Sequence, residues 1–220
     1  MINIFIKSCI DKYSKYFFVK KLKYGSKILD VGCGNHSASK IKYLNKNVVI
    51  DGIDIIEYNT NEHDKELMNN YFIIKPTKFN LFIKDLPYNY NAIICSHVIE
   101  HVNDLQELLN ILLNKLEKDG LLYLSFPNAA SINFPKRKGT LNFYDDETHS
   151  QLPPNLPTIE QIIKNNNCTI IKKATPNKVL LGYMLGILLE PISAITKKVL
   201  PFTWYYWGFE NVLIIKKIKH

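Results

Sequence analysis

Apolar residues along this chain come in two rhythms. Short unbroken runs, "KILDVG" (27–32), "NVVIDGIDI" (47–55), "NAIICS" (91–96) and "GLLYLSFP" (120–127), predict buried strands. Between the third and fourth, Leu105, Leu108, Leu109, Leu112, Leu113 and Leu116 recur at helical spacing, and Asp119-Gly120 is expected to end that helix. Residues 4–22 space Ile, Phe, Tyr and Val at helical intervals, which predicts a covering helix within the first 24 residues. Further on, "TIEQIIKNNN" (158–167) reads as a helix capped by Thr158, followed by strands over "CTIIKKA" (168–174) and "ENVLIIKKI" (210–218). Apolar strands joined by helices imply an α/β fold, a mostly parallel sheet covered on both faces.

Two stretches break the alternation. Residues 128–157, "NAASINFPKRKGTLNFYDDETHSQLPPNLP", are polar, aromatic and proline-bearing without a sustained period, as expected of an acceptor or lid loop. Residues 179–209 form an apolar insertion between the last two strands. Its run from Val179 to Leu189 is too short to cross a bilayer, which takes about 20 apolar residues, and Glu190-Pro191 interrupts it. A helical pair packed on the core or on a dimer partner is the simpler expectation. An interfacial anchor, with Trp204, Tyr205, Tyr206 and Trp207 at headgroup level beside Lys197-Lys198, is the sharper one.

Length and composition fit one domain of 220 residues with ordinary globular proportions, 46% hydrophobic and 22% charged. The net charge of +8 is uneven: residues 1–27 carry seven lysines against Asp11, residues 172–220 carry eight against Glu190 and Glu210, and the centre is acidic. Such basic ends suit an anionic membrane surface or nucleic acid, or are solvated lysines and no more. Cys9, Cys33, Cys95 and Cys168 fall singly, with no zinc-ligand spacing, and the N-terminus lacks the apolar core of a signal peptide; a cytoplasmic protein is expected.

The stretch "KILDVGCGNH" (27–36) carries the chemistry. Gly32 and Gly34 let backbone approach a ligand at a helix N-terminus, but Ser37 stands where a dinucleotide fingerprint has its third glycine. Asp30, at the strand end, would repel a diphosphate and attract an ammonium group. Asp54, ending the next strand in "GIDI", suits two ribose hydroxyls. Together they fit a ligand with a ribose and an amino-acid end: S-adenosylmethionine.

With these residues in place the sequence resembles the class I S-adenosylmethionine-dependent methyltransferases, in their small-molecule branch of type 11/23. "ILDVGCGNH" looks like that family's first motif, "GIDI" its acidic second, "DLPYNYNAIICSHVIEHV" its fourth-strand segment and "DGLLYLSFPN" its fifth strand. The resemblance implies a Rossmann-like seven-stranded sheet of order 3-2-1-4-5-7-6 with an antiparallel last strand. It also implies cofactor contacts at Asp30, Gly32, Cys33, Gly34, Asp54, Ile55 and Ser96, with Asp85 or Leu86 near the adenine. Here the sequence departs from the pattern, which has more residues between an acid and Leu-Pro. Asn91 replaces a frequent acid before the fourth strand.

His97 follows that strand, where side chains face the reactive methyl, and is the first candidate base; lining the pocket is its other role. His149 is the second, and Tyr144, Asp145 and His149 are candidate acceptor ligands in the loop after the fifth strand. Glu100 and His101 are expected to orient the loop. No metal is expected, with "DD" at 145–146 the only pair singled out for Mg²⁺. The expected reaction moves a methyl group to an oxygen, less readily a nitrogen, of a small molecule or glycan precursor. Alternatives are a membrane-bound lipid or quinone acceptor, with peripheral contact through 179–209, and a non-catalytic binding module. Nucleic acid is not an expected partner, because "CSHVIEHV" stands where a base pocket of the Asn-Pro-Pro-Tyr kind would be.

Overall fold

The computed structural model describes residues 9, 11–149, 151–174 and 179–218. Its strands are β1 (Lys27–Val31), β2 (Val49–Asp54), β3 (Asn70–Ile73), β4 (Tyr90–Ser96), β5 (Leu116–Pro127), β6 (Cys168–Ala174) and β7 (Glu210–Lys217). They form one sheet in the order β3-β2-β1-β4-β5-β7-β6. Neighbours from β3 through β5 are parallel, while β7 lies antiparallel to both β5 and β6.

Among the described residues the helices are α1 (Lys15–Lys20), α2 (Ser37–Leu44), α3 (Glu62–Glu66), α4 (Phe79–Asp85), α5 (Leu105–Asn114), α6 (Leu156–Asn165), α7 (Leu180–Thr196) and α8 (Thr203–Trp207). Because successive strand residues face opposite sides, a strand covered on both faces is apolar at every position. Leu29, Ile93 and Leu122 pack with α4, α5 and α6, whereas Ile28, Ile94 and Tyr123 pack with α1 and α2. The acids and glycines at the ends of β1 and β2 therefore project from a rigid, fully buried platform.

Several boundaries differ from expectation. Helix α1 starts only after Ser14, whose side chain caps Phe17 N at 3.2 Å; residues 4–8 and 10 of the expected 4–22 helix lie outside the described residues. Helix α5 ends at Asn114 rather than at Asp119-Gly120. Leu116 leaves the helical stripe and pairs with Tyr90 on β4, and the Asp119-Gly120 turn, with Asp119 at φ 63°, becomes an irregularity inside β5. Helix α6 begins two residues early because Asn155, not Thr158, is its cap, leaving Pro157 in the first turn where a missing N–H costs nothing. The aperiodic 128–157 stretch contains two short 3₁₀ turns, Ala129–Asn133 and Phe143–Asp145.

The insertion folds as two helices, α7 and α8, and Pro191 lies inside α7. Gly182 and Gly186 bring α8 close: a Cβ on Gly186 would stand 2.8 Å from the Phe202 carbonyl oxygen. No helix among the described residues is long and apolar enough to cross a membrane.

Candidate active site

The chain crosses from one side of β1 to the other between β3 and β4, opening a crevice at the strands' carboxyl ends. Asp30 sits there at 1% exposure, opposite Gly52 and Ile94 in the flanking strands. Neither of its carboxylate oxygens has a hydrogen-bond partner. Burial pushes its carboxyl up, and the nearby charge of Lys15 and the Ser37 hydroxyl only partly oppose this. A buried, unpaired acid is costly unless a cation completes it, which is what a ligand ammonium would do.

The turn beyond Asp30 leaves no room for side chains. Gly32 has φ +74°, and a Cβ there would meet Val98 Cγ2 at 2.5 Å; one on Gly34 would meet the Tyr58 carbonyl oxygen at 2.7 Å. Asn35 and His36 continue in left-handed conformation and donate their N–H groups to Tyr58 and Asn59 carbonyls at 2.6 and 2.9 Å. Asp54 Oδ2 accepts Gly34 N at 3.0 Å and Oδ1 accepts Ile55 N at 2.8 Å, so each oxygen keeps a lone pair for a ribose hydroxyl. Ile55 lies beside it, 40% exposed. Cys33 instead turns inward under Gly52, where burial raises its thiol far above the ordinary range. Only its backbone belongs to the turn.

Asp85 and Leu86 are not in the crevice. Asp85 is the last residue of α4, and Leu86 packs in the core with its carbonyl accepting Lys115 Nζ, at the edge where β4 begins. The element that borders Asp54 is instead the end of β3, where Ile74 N donates to the Asp54 carbonyl at 2.9 Å. The short, half-exposed run "NYFI" of β3 lacks a strong strand signal and is not among the strands expected from the sequence. Lys15, which donates to Ser37 Oγ at 3.3 Å, is a crevice cation that sequence reading missed.

Beside the crevice a cavity of about 450 Å³ is lined by Asn35, Ser96, His97, Tyr123, Trp204 and Tyr205, among others. Ser96 shares a 2.8 Å hydrogen bond with Ser125. His97 holds its backbone at φ 54°, with Nδ1 3.1 Å from Glu100 Oε1 and Nε2 3.0 Å from Glu210 Oε1. Burial works against its charge, but the two glutamates outweigh it and raise the ring to about 10. Both ring nitrogens of His97 thus face carboxylates, an arrangement that favours its charged form, and the pair of contacts ties β4 to β7 at the cavity wall.

The loop after β5 is organised by its own acids. Asp145 Oδ2 accepts backbone N–H groups of Arg137, Leu141 and Asn142 at 3.1, 2.9 and 2.8 Å, so it shapes the loop and is no free acceptor ligand. Asp146 Oδ1 accepts from Thr148 N and Oγ1 at 3.0 and 2.6 Å. Tyr144 is 46% exposed, edge-on to Phe143. His149 is buried, stacked on Phe143 with centroids 4.2 Å apart, and its Nδ1 donates to the Phe143 carbonyl at 2.6 Å. That leaves Nε2 with a lone pair. His149 reaches His101 and Glu100 rather than the cavity: ligand atoms of Glu100, His101 and His149 lie within 4.8 Å of one another.

A sheet of this order, with an unpaired acid and a glycine turn at its switch point, defines a class I S-adenosylmethionine-dependent methyltransferase. The chain belongs to the methyltransferase-domain family, whose model matches residues 5–173, and S-adenosylmethionine is its cofactor. Among characterised relatives, the mitochondrial ubiquinone biosynthesis O-methyltransferase of Bos taurus is 28% identical over 116 residues, covering 50% of this chain and 31% of that protein. The match thus spans about a third of the relative's length. The crystal structure of a SAM-dependent methyltransferase from Archaeoglobus fulgidus superposes with a TM-score of 0.55 at 18% identity, over 99% of this chain and 100% of that one. A sarcosine dimethylglycine methyltransferase assigned in Galdieria sulphuraria gives 0.58 at 14% identity, over 92% and 82%. At these identities the structures share the fold. When bound, the cofactor supplies an electrophilic methyl on a sulfonium that leaves unaided.

Proposed function

We propose that the chain methylates an oxygen of a small molecule or glycan precursor seated in the cavity beside the crevice. The observation that carries this is the cavity itself, which joins the cofactor turn at Asn35 and Ser96 and is walled by Tyr123, Trp204 and Tyr205. Aromatic walls with a few polar groups suit a ring-bearing acceptor. Asp30 anchors the cofactor's ammonium, Asp54 its ribose, and the rigid β4 end aligns the acceptor, so that most of the rate comes from orientation. The O-methylation named for the bovine relative supports oxygen over nitrogen. Calorimetry with S-adenosylmethionine and its demethylated product is the first test, and absence of binding by both overturns the reading. Methyl transfer from labelled cofactor, followed by mass spectrometry of the product, separates oxygen from nitrogen.

A second reading, an acceptor carried in a membrane, is favoured by α7. Leu180, Leu181, Met184, Leu188, Ile192 and Ile195 are exposed along it, and its one acid, Glu190, turns inward to Arg137. Lys136, Lys138, Lys197 and Lys198 are exposed around its C-terminal end, where Lys138 and Lys198 bridge. An apolar face rimmed by lysines suits an anionic bilayer. Flotation with anionic and neutral liposomes tests it: the chain should float with the anionic ones alone, whereas a stable dimer that does not float assigns the face to a second copy.

A further inference from the structure

The structure assigns a divalent-cation site to Glu100, His101 and His149, with borderline transition ions as its ligand class. Three independent constraints aim these side chains at one point. Glu100 is 5% exposed; its Oε1 is held by His97, while its Oε2 is buried with no hydrogen-bond partner. A desolvated carboxylate oxygen without a partner is expensive to keep, and a cation is what offsets it. His149 spends Nδ1 on the Phe143 carbonyl and His101 places Nδ1 2.9 Å from Thr148 Oγ1, which leaves Nε2 of each open.

Fixing one ring nitrogen so that the other points at an ion is how ligating histidines are oriented. The His101 and His149 rings stand 4.6 Å apart, centroid to centroid. The ligand atoms lie within 4.8 Å of one another. Around one ion at about 2.0–2.2 Å they would stand about 3–3.5 Å apart, so the set closes by a small swing of His101, the exposed member. Two imidazoles and one carboxylate favour Zn²⁺, Co²⁺ or Mn²⁺ over Mg²⁺ or Ca²⁺, which take oxygen. Three protein ligands leave open positions for water or for an acceptor hydroxyl.

The site itself stands on this geometry; only the ion's role rests on the methyl-transfer reading. With its Nε2 committed to the ion, His149 is not a free base for an acceptor's proton. A hydroxyl on the ion would lose its proton more readily, and the proton would pass to solvent as the methyl–oxygen bond forms and the methyl–sulfur bond breaks.

The test uses the full chain freed of metal with a chelator, then titrated calorimetrically with Zn²⁺ alone and with Co²⁺ alone while visible absorption is followed. One ion per chain is expected, with the d–d bands of mixed nitrogen and oxygen ligation for Co²⁺. Glu100→Gln and His101→Ala should each weaken binding by more than the about 10–100-fold that loss of an outer partner costs. His63→Ala, which removes an exposed histidine remote from the set, should leave it unchanged. No uptake by the unaltered chain, uptake indifferent to both site variants, or preference for Mg²⁺ overturns the assignment. S-adenosylmethionine binding by the same metal-free samples reports folding: ions failing while the cofactor binds condemns the metal site alone, and the reverse condemns the methyl-transfer reading.

Discussion

Asp30 is held in the fold at a cost. Its carboxyl is raised by burial, so the ionised form is disfavoured in the folded chain relative to the unfolded one. An acid raised in this way contributes stability when protonated and loses it as pH climbs through its folded value. The cofactor-free chain should therefore lose stability as pH rises above the ordinary aspartate range, and Asp30→Asn should abolish that loss, measured as melting temperature against pH. The same substitution should abolish calorimetric cofactor binding, and saturating S-adenosylmethionine should flatten the pH dependence of the unaltered chain. If Asp30→Asn instead lowers stability at neutral pH, the unpaired-charge account of the crevice is wrong. Gly32 is the second sensitive position: Gly32→Ala forces a left-handed alanine, costing about 1–2 kcal/mol, and drives its methyl into Val98. Thermal unfolding should show that loss together with weakened cofactor binding.

At the scale of elements, legibility tracked how fully each segment was buried. The β1, β4 and β7 runs are apolar on both faces and their limits in sequence and structure agree closely. Half-exposed β3 and the sparsely apolar α3 carried too little periodicity to be seen. The end of α5 was misread because Leu116 continues the helical stripe by spacing while it pairs in β5 by tertiary contact. The meeting of Asp30, Gly32, Gly34 and Asp54 at one crevice could be read because strand ends and a glycine turn fix them locally. The fate of His97 could not, since Glu210 lies 113 residues away in sequence. Nor could the inward role of Asp145, which follows from three backbone N–H groups brought together by the loop. One tertiary link can be tested directly: Arg137 makes two bonds to Glu190, at 2.9 and 2.6 Å, in a nearly dry setting. Glu190→Gln leaves that guanidinium without its counter-charge and should cost about 3–5 kcal/mol, with hydrogen exchange rising in both 136–146 and α7. Rising exchange in α7 alone would mean that the loop is held by Asp145 without help.

Across the whole molecule, charge and apolarity are segregated in a way that composition only hinted at. The lysine-rich ends of the sequence meet in space around the crevice and the insertion: Lys172 of β6 lies 4.9 Å from the Phe17 ring on α1, and Asp11 accepts Tyr205 of α8 at 2.5 Å. The N-terminal segment, the last strands and the insertion thus close one side of the cavity together. Flotation on anionic liposomes should weaken with added salt, because surface attraction is screened within about 10 Å at 0.1 M, and Lys197→Glu with Lys198→Glu should abolish it while cofactor binding persists. Flotation unaffected by salt and by those substitutions would leave apolar contact alone to explain it.

The ion pair between Arg137 and Glu190, with Trp204 Nε1 donating to the Thr140 carbonyl at 2.8 Å, also has a mechanical meaning. It rivets the strap that bears His149 to the greasy rod beside it, so a pull on either is carried to the other.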